Sequence, residues 1–245
     1  MSIPLVCVNG VVPPELTFAR LARDVTERPV RLHDLVGYRE ELPPGYGVDT
    51  ELHALGDAVD GRAHLLGYSA GASVTLAFAA AYPERVASLT LVEPPWIGYP
   101  DGTAFQAGMD TVMLDTPADR RWETFHELLT RPGADVPPPP PNPPPWAPGR
   151  VARGEDVWRA LRTHAIPIEQ LRPIKAPVYL PVAADSHPWF TDAAYRLAGG
   201  FSAATVEMYP GNHVRPPHVS AAERFVAALR TLWAAAGDPS PWPSR

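Results

Sequence analysis

A short segment at residues 62–66, apolar at Ala63, Leu65 and Leu66, passes through Gly67-Tyr68-Ser69-Ala70-Gly71 into an alanine-rich stretch closed by Pro83. The segment reads as a β-strand and residues 70–82 as a helix. The chain must therefore reverse from strand to helix within a few residues. Only small side chains fit around so tight an apex, and Gly67, Ala70 and Gly71 meet that need. The apex residue, Ser69, is lifted clear of the sheet edge, with a helix N-terminus beside it that favours negative charge.

The rest of the chain repeats this rhythm. Strands are expected at 3–8, 29–33, 88–92, 178–182 and 203–208, and helices at 15–27, 50–59 and 220–236. Thr50 reads as a helix N-cap, and Ser220 with Glu223 as a capping box. Strands alternating with helices predict an α/β fold, a mainly parallel sheet of about six strands flanked by helices. The rhythm stops between 94 and 173. Only helical pieces at 118–129 and 156–163 are legible there, around a tract at 137–148 with nine prolines in twelve residues. Proline fixes φ and lacks an N–H, so the tract reads as polyproline-like: part of a lid, a spacer or a partner-binding element. Residues 1–93 and 174–245 then form the core, with 94–173 as a proline-rich lid insertion and 237–245 as a frayed tail.

Composition narrows the function. A chain of 245 residues can bury a core without disulfide or metal staples. A net charge of −6 argues against nucleic acid as a partner, because phosphate contacts need clustered Lys and Arg. The single cysteine, Cys7, lies in an apolar run and reads as a buried thiol; one cysteine makes neither a disulfide framework nor a multi-cysteine zinc site. No basic leader and no stretch of about 18 apolar residues is present, so a cytoplasmic protein without a membrane partner is expected. His, Cys and carboxylates show no metal-ligand spacing, so neither metal nor cofactor is expected.

Serine is a poor nucleophile without a base. Of eight histidines, His213 is the best placed, in a loop between the last strand and the last helix. His218, close to that helix, reads as a surface residue. His33, His53, His64, His126 and His164 lie in or beside predicted elements and read as structural, and His187 as a loop residue. The acid that would orient His213 is read as Asp185, just after the strand at 178–182, with Glu93 at the end of the preceding strand as the alternative.

The order Ser69, Asp185, His213 resembles the nucleophile, acid, base order of the α/β-hydrolase fold family. Asp34-Leu-Val-Gly37, Tyr82-Pro-Glu-Arg-Val, Leu89-Thr-Leu-Val-Glu-Pro and Gly211-Asn-His213 are similar to motifs of that family. The resemblance implies an oxyanion hole from the backbone N–H groups of Val11 and Ala70. Many members carry His-Gly after their first core strand; Asn9-Gly10 stands here, and the role of Asn9 is open. Many members also place the acid in a Gly-acid-x-Asp run. Here the segment is Val182-Ala183-Ala184-Asp185 with Pro181 inside the strand, while some relatives use the position of Glu93. Asn9, Tyr68 and Trp96 are assigned to substrate binding. Trp96, Tyr99, Phe105, Trp122, Trp146 and Trp158 either line a site for an apolar or aromatic small molecule or seal the lid. The expected activity is that of a serine hydrolase acting on a carboxylic ester, thioester or lactone through an acyl-enzyme. The alternatives are a non-hydrolytic enzyme on the same scaffold (lyase, perhydrolase or cyclase) and a non-catalytic binding protein.

Overall fold

The computed structural model describes residues 2–39, 41–98, 103–135 and 144–238. Six strands, β1 (Leu5–Val8), β2 (Val30–His33), β3 (Ala63–Tyr68), β4 (Val86–Val92), β5 (Val178–Ala183) and β6 (Ala204–Tyr209), form one sheet in the order β2-β1-β3-β4-β5-β6. Every recorded pairing is parallel. A parallel sheet needs crossovers that cover both faces, and successive strand residues alternate between those faces. Val6, Val8 and Leu65 join one apolar cluster, Leu5, Cys7 and Leu66 the other, and all six are buried. Cys7 is fully buried, and burial pushes its thiol pKa up.

The helices are α1 (Pro14–Thr17), α2 (Ala19–Asp24), α3 (Val48–Val59), α4 (Ala70–Ala81), α5 (Thr103–Asp110), α6 (Ala118–Leu129), α7 (Ala147–Arg162), α8 (Pro188–Ala198), α9 (Pro217–Ser220) and α10 (Ala222–Ala235). α3, α4 and α8 pack on one face of the sheet, and α2 and α10 on the other. The single helix expected at 15–27 is two, because Phe18 leaves helical geometry at φ −111° and ψ 10°. α3 begins at Val48, so Thr50 sits inside its first turn and accepts from the N–H of Gly47. The expected capping box at Ser220 is absent: the Ser220 hydroxyl donates to Pro210 O, and Ala221 precedes α10. At the start of the expected frayed tail, Asp238 is anchored. Its carboxylate accepts from Ile3 N–H and Arg28 and contacts the buried His64.

Between β4 and β5 the regular elements among the described residues are helical: α5, a π-helical turn at Thr111–Asp115, α6, α7 and a 3-10 turn at Ile168–Leu171. Asp110 accepts from Trp158 Nε1 at 2.7 Å and from Arg162, tying α5 to α7. Residues 137–143 of the proline tract and Tyr99 lie outside the described residues, and α7 takes over at Ala147.

One irregularity in the sheet bears on the site. β5 pairs with β6 along its whole length, but with β4 only at Leu89–Val178 and Thr90–Tyr179. Pro181 follows two residues later and has no N–H to offer toward β4. Two residues further, the N–H of Ala183 is taken at 2.8 Å by a side chain, the carboxylate of Glu93. The two strands part where the proline interrupts the ladder, and Glu93 occupies the opening.

Candidate active site

Ser69 stands at the apex between β3 and α4 with φ 55° and ψ −129°. A non-glycine residue in that region costs about 1–3 kcal/mol, so the surrounding packing must enforce it. Gly67 and Gly71 show how. A Cβ on Gly67 would lie 2.5 Å from Ala72 Cα, and one on Gly71 would lie 2.2 Å from Asn9 O. The elbow closes only because both side chains are absent. The small residues expected around Ser69 are there for space.

The imidazole of His213 is 3% exposed and reaches Ser69 Oγ through Nε2 at 2.9 Å. Its Nδ1 lies 2.8 Å from Glu93 Oε2. Glu93 is 1% exposed, and its other oxygen accepts the Ala183 N–H already described. Phe190 stacks on the imidazole with centroids 4.7 Å apart, and the Tyr68 hydroxyl donates to the carbonyl of His213. The ring is held by a carboxylate at one nitrogen, an aromatic face and an anchored backbone.

The expectation for Asp185 is corrected by this geometry. Its carboxylate pairs with Arg131 at 2.5 Å on the outer side of the loop and is one-third exposed. After β5 the chain turns, Ser186 N donating to Ala183 O, and only the backbone of Asp185 faces the histidine loop, through a bond to Gly211 O. Glu93, the alternative, supplies the contact. β4 is the neighbour of β3, and Glu93 itself turns back with φ 48°.

The residues assigned to substrate binding are also relocated. Asn9 is fully buried and donates to the carbonyls of Gly10, at 2.8 Å, and Val12. Tyr68 braces His213 as above. Trp96 is 1% exposed, and its indole donates to Ile166 O at 2.9 Å, fastening the segment after β4 to the one before β5. None of the three lines the cavity above Ser69. That cavity encloses about 490 Å³ of empty space, its mouth included. Val11 and Ala70 line it beside Ser69, and Met109, Phe125, Val157 and Trp158 line it from the β4–β5 helices. Apolar walls with few polar groups are the usual character of small-molecule sites.

Two histidines near the site are held neutral. His218, expected at the surface, is 1% exposed among Phe18, Tyr68 and Phe225. Burial first and the neighbouring His213 second push its pKa down to about 3. His126 on α6 is pushed down to about 4 by burial and then by His213. His187 caps α8, its Nδ1 accepting from Trp189 N–H at 3.2 Å.

Sequence reading missed Phe190, Tyr38 and Arg150. Tyr38 lines the cavity, and Arg150 reaches the loop after β1. Neither carries a local signal. The nearest hint was Asp34-Leu-Val-Gly37, for Asp34 holds Arg150. A Cβ on Gly37 would lie 2.2 Å from the Tyr46 hydroxyl. Among the described residues no group of three His, Cys, Asp or Glu side chains could hold a metal ion, and no helix is long and apolar enough to cross a membrane.

Comparisons with known proteins bear on the fold and the family. Lipase LipV of Mycobacterium tuberculosis is 29% identical over 137 residues, 54% of this chain and 52% of the relative; the match spans about half of each. The alpha/beta hydrolase MGS-M2 from a Medee basin deep-sea metagenome library superposes with a TM-score of 0.73 at 14% identity, covering 95% of this chain and 90% of that one. Naproxen esterase (carboxylesterase NP) from Bacillus subtilis gives a TM-score of 0.65 at 16% identity, covering 95% and 84%. At such identities these two structures share the fold. The family model described as "Alpha/beta hydrolase family" matches residues 5–228. The chain belongs to the alpha/beta hydrolase family.

Proposed function

We propose that the protein is a serine hydrolase of small apolar carboxylic esters or related acyl compounds, acting through an acyl-enzyme. The observation that carries this reading is the unbroken chain Ser69–His213–Glu93 at 2.9 and 2.8 Å, opening into an apolar cavity. Ser69 Oγ attacks the carbonyl carbon while His213 Nε2 takes its proton. Glu93 keeps the imidazole oriented and stabilises the imidazolium. The backbone N–H groups of Val11 and Ala70 bind the oxyanion, each such donor contributing about 3–4 kcal/mol. The tetrahedral intermediate collapses, and His213 protonates the departing alkoxide. Water, deprotonated by the same imidazole, then attacks the acyl-enzyme and releases the acid.

The β4–β5 helices act as a cap. Their apolar residues face Ser69 and exclude water from the acyl or alcohol group, which favours an uncharged, apolar or aromatic substrate. The names of the relatives, a lipase and a carboxylesterase, support ester hydrolysis. Two features depart from the family's usual motifs, Asn9 and the loop carrying Asp185. Both hold backbone here, so hydrolysis is the reading retained.

Labelling with a fluorophosphonate, read by peptide mass spectrometry, tests the proposal, with p-nitrophenyl esters assayed alongside. Modification at Ser69 and ester turnover are expected. Ser69→Ala should remove both, the turnover by a factor on the order of 10⁵ or more. A folded protein left unmodified at Ser69 would end the serine-nucleophile reading.

A further inference from the structure

The loop after β1 approaches the nucleophile closely: a Cβ on Gly10 would sit 2.9 Å from Ser69 Cβ. Its backbone orientation therefore decides whether an N–H is presented to the reacting carbonyl. Glycine and valine do not set that orientation by themselves, and Pro13 and Pro14 supply no N–H. Something else must hold the peptides.

Two side chains do so. Asn9 Nδ2 donates to Gly10 O at 2.8 Å from within the loop. From across the cavity, Arg150 in the first turn of α7 donates through Nε to Val11 O at 2.6 Å and through its second amino group to Gly10 O at 3.4 Å. The guanidinium is itself fixed. It makes a bidentate pair with Asp34 at 2.7 and 2.8 Å, lies 4.5 Å over the ring of Tyr38, and is 12% exposed. A planar fork held on both sides is a geometry that lysine cannot reproduce.

The consequence follows from peptide planarity. In a trans peptide the carbonyl and the N–H point in opposite directions. Gripping Gly10 O toward Asn9 and α7 turns the N–H of Val11 the other way, and Val11 lines the cavity beside Ser69. Gripping Val11 O fixes the next peptide. Both peptides flanking the Val11 Cα are thus held, so its φ and ψ are set.

We infer that Arg150 is a positioning residue: a cap-borne guanidinium, braced by Asp34 and Tyr38, that aims the Val11 N–H at the oxyanion. The inference rests on the serine-hydrolase reading and adds a coupling to it. The oxyanion hole is complete only when α7 sits on the core, so substrate enclosure and transition-state stabilisation rest on one side chain. Arg150 touches no reacting atom; it acts through the loop.

The test compares wild type, Arg150→Ala, Arg150→Lys and Asp34→Asn by the rate of fluorophosphonate labelling at Ser69, by the final labelled fraction, and by kcat and KM for a short p-nitrophenyl ester. Loss of one oxyanion donor lowers kcat by about 10²–10³-fold. Arg150→Ala and Arg150→Lys should fall toward that range in both labelling rate and kcat. KM should change by less than about threefold, because the missing interaction forms only in the transition state. The final labelled fraction should match wild type, and the pH midpoint of kcat/KM should stay in place because His213 and Glu93 are untouched. Asp34→Asn, which leaves Arg150 present but loosely held, should fall by a smaller factor. Added guanidinium ion should restore part of the Arg150→Ala rate. Wild-type labelling and kcat in Arg150→Ala would overturn the inference. So would a loss confined to KM, or one that appears only as a smaller labelled fraction, the mark of misfolding. An unlabelled wild-type Ser69 would overturn the hydrolase reading and this inference with it.

Discussion

The carboxyl ends of β4 and β5 are neighbouring corners of one sheet edge, and each is followed by a carboxylate. Glu93, after β4, is 1% exposed; it contacts His213 with one oxygen and accepts the Ala183 N–H with the other. Asp185, after β5, is one-third exposed and pairs with Arg131. Both positions offer the charge that a catalytic imidazole needs. They differ in where the backbone sends the side chain: φ 48° at Glu93 turns it inward, while the turn after β5 sends that of Asp185 to the outer side. The lesson is that which carboxylate meets the imidazole is decided by local backbone geometry and by the gap it can enter, here beside Pro181, and not by its rank in the chain.

The comparison is sharpest at Glu93 itself. Glu93→Gln keeps size but puts an amide against Nδ1, so the orienting charge is lost. A fall in kcat on the order of 10⁴-fold is expected, by analogy with the measured effect of replacing the triad aspartate of a serine protease by its amide. Steady-state ester turnover checks it, with circular dichroism confirming the fold.

The inward side of this corner also holds His218 neutral, and stability should report that. Its folded pKa of about 3 lies below the ordinary imidazole value of 6.5, so the unfolded chain binds the proton more readily. The stabilisation is present above pH 6.5 and is lost as pH falls toward 3, with a limiting slope of about 1.4 kcal/mol per pH unit for one such group. His218→Phe should flatten the denaturant-unfolding stability curve between pH 6 and 4; an unchanged slope there would place the titration elsewhere.

The outward side should be nearly silent. Asp185→Asn removes one exposed ion pair, and such pairs contribute about 0–1 kcal/mol. The variant should keep kcat within about twofold of wild type, because the backbone bond of Asp185 to Gly211 is retained. A 10³-fold loss would reinstate Asp185 as the acid.

The strand–turn–helix around Ser69 was legible because Gly67 and Gly71 are demanded by contacts within a few residues of the turn and with the adjacent β1. The four inner strands were legible because burial on both faces leaves continuous apolar runs, as in β3 and β4, whereas the edge strands β2 and β6 are partly exposed. His213 could be placed by its loop between β6 and the last helix. Which carboxylate meets His213 was not legible, because two carboxylates follow adjacent strands and sequence carries no record of the dihedral that turns one of them. Asn9, Tyr68 and Trp96 were misassigned for a related reason: polar and aromatic residues next to a site look alike whether they face substrate or brace backbone. Only the partners of Asn9 Nδ2, the Tyr68 hydroxyl and the Trp96 indole decide the matter.

By itself, then, the sequence determined the parallel α/β architecture, the strand–turn–helix that carries Ser69 and the loop that carries His213, since these rest on periodicity, on residue size at a tight turn and on order along the chain. Tertiary structure alone decided which carboxylate meets His213, the neutral burial of His218 and the reach of Arg150 to Val11. The first and the last depend on groups 120 and 139 positions apart in the chain being brought within a few ångströms, and the second on Phe18 and Tyr68 packing against His218; no local pattern encodes such contacts.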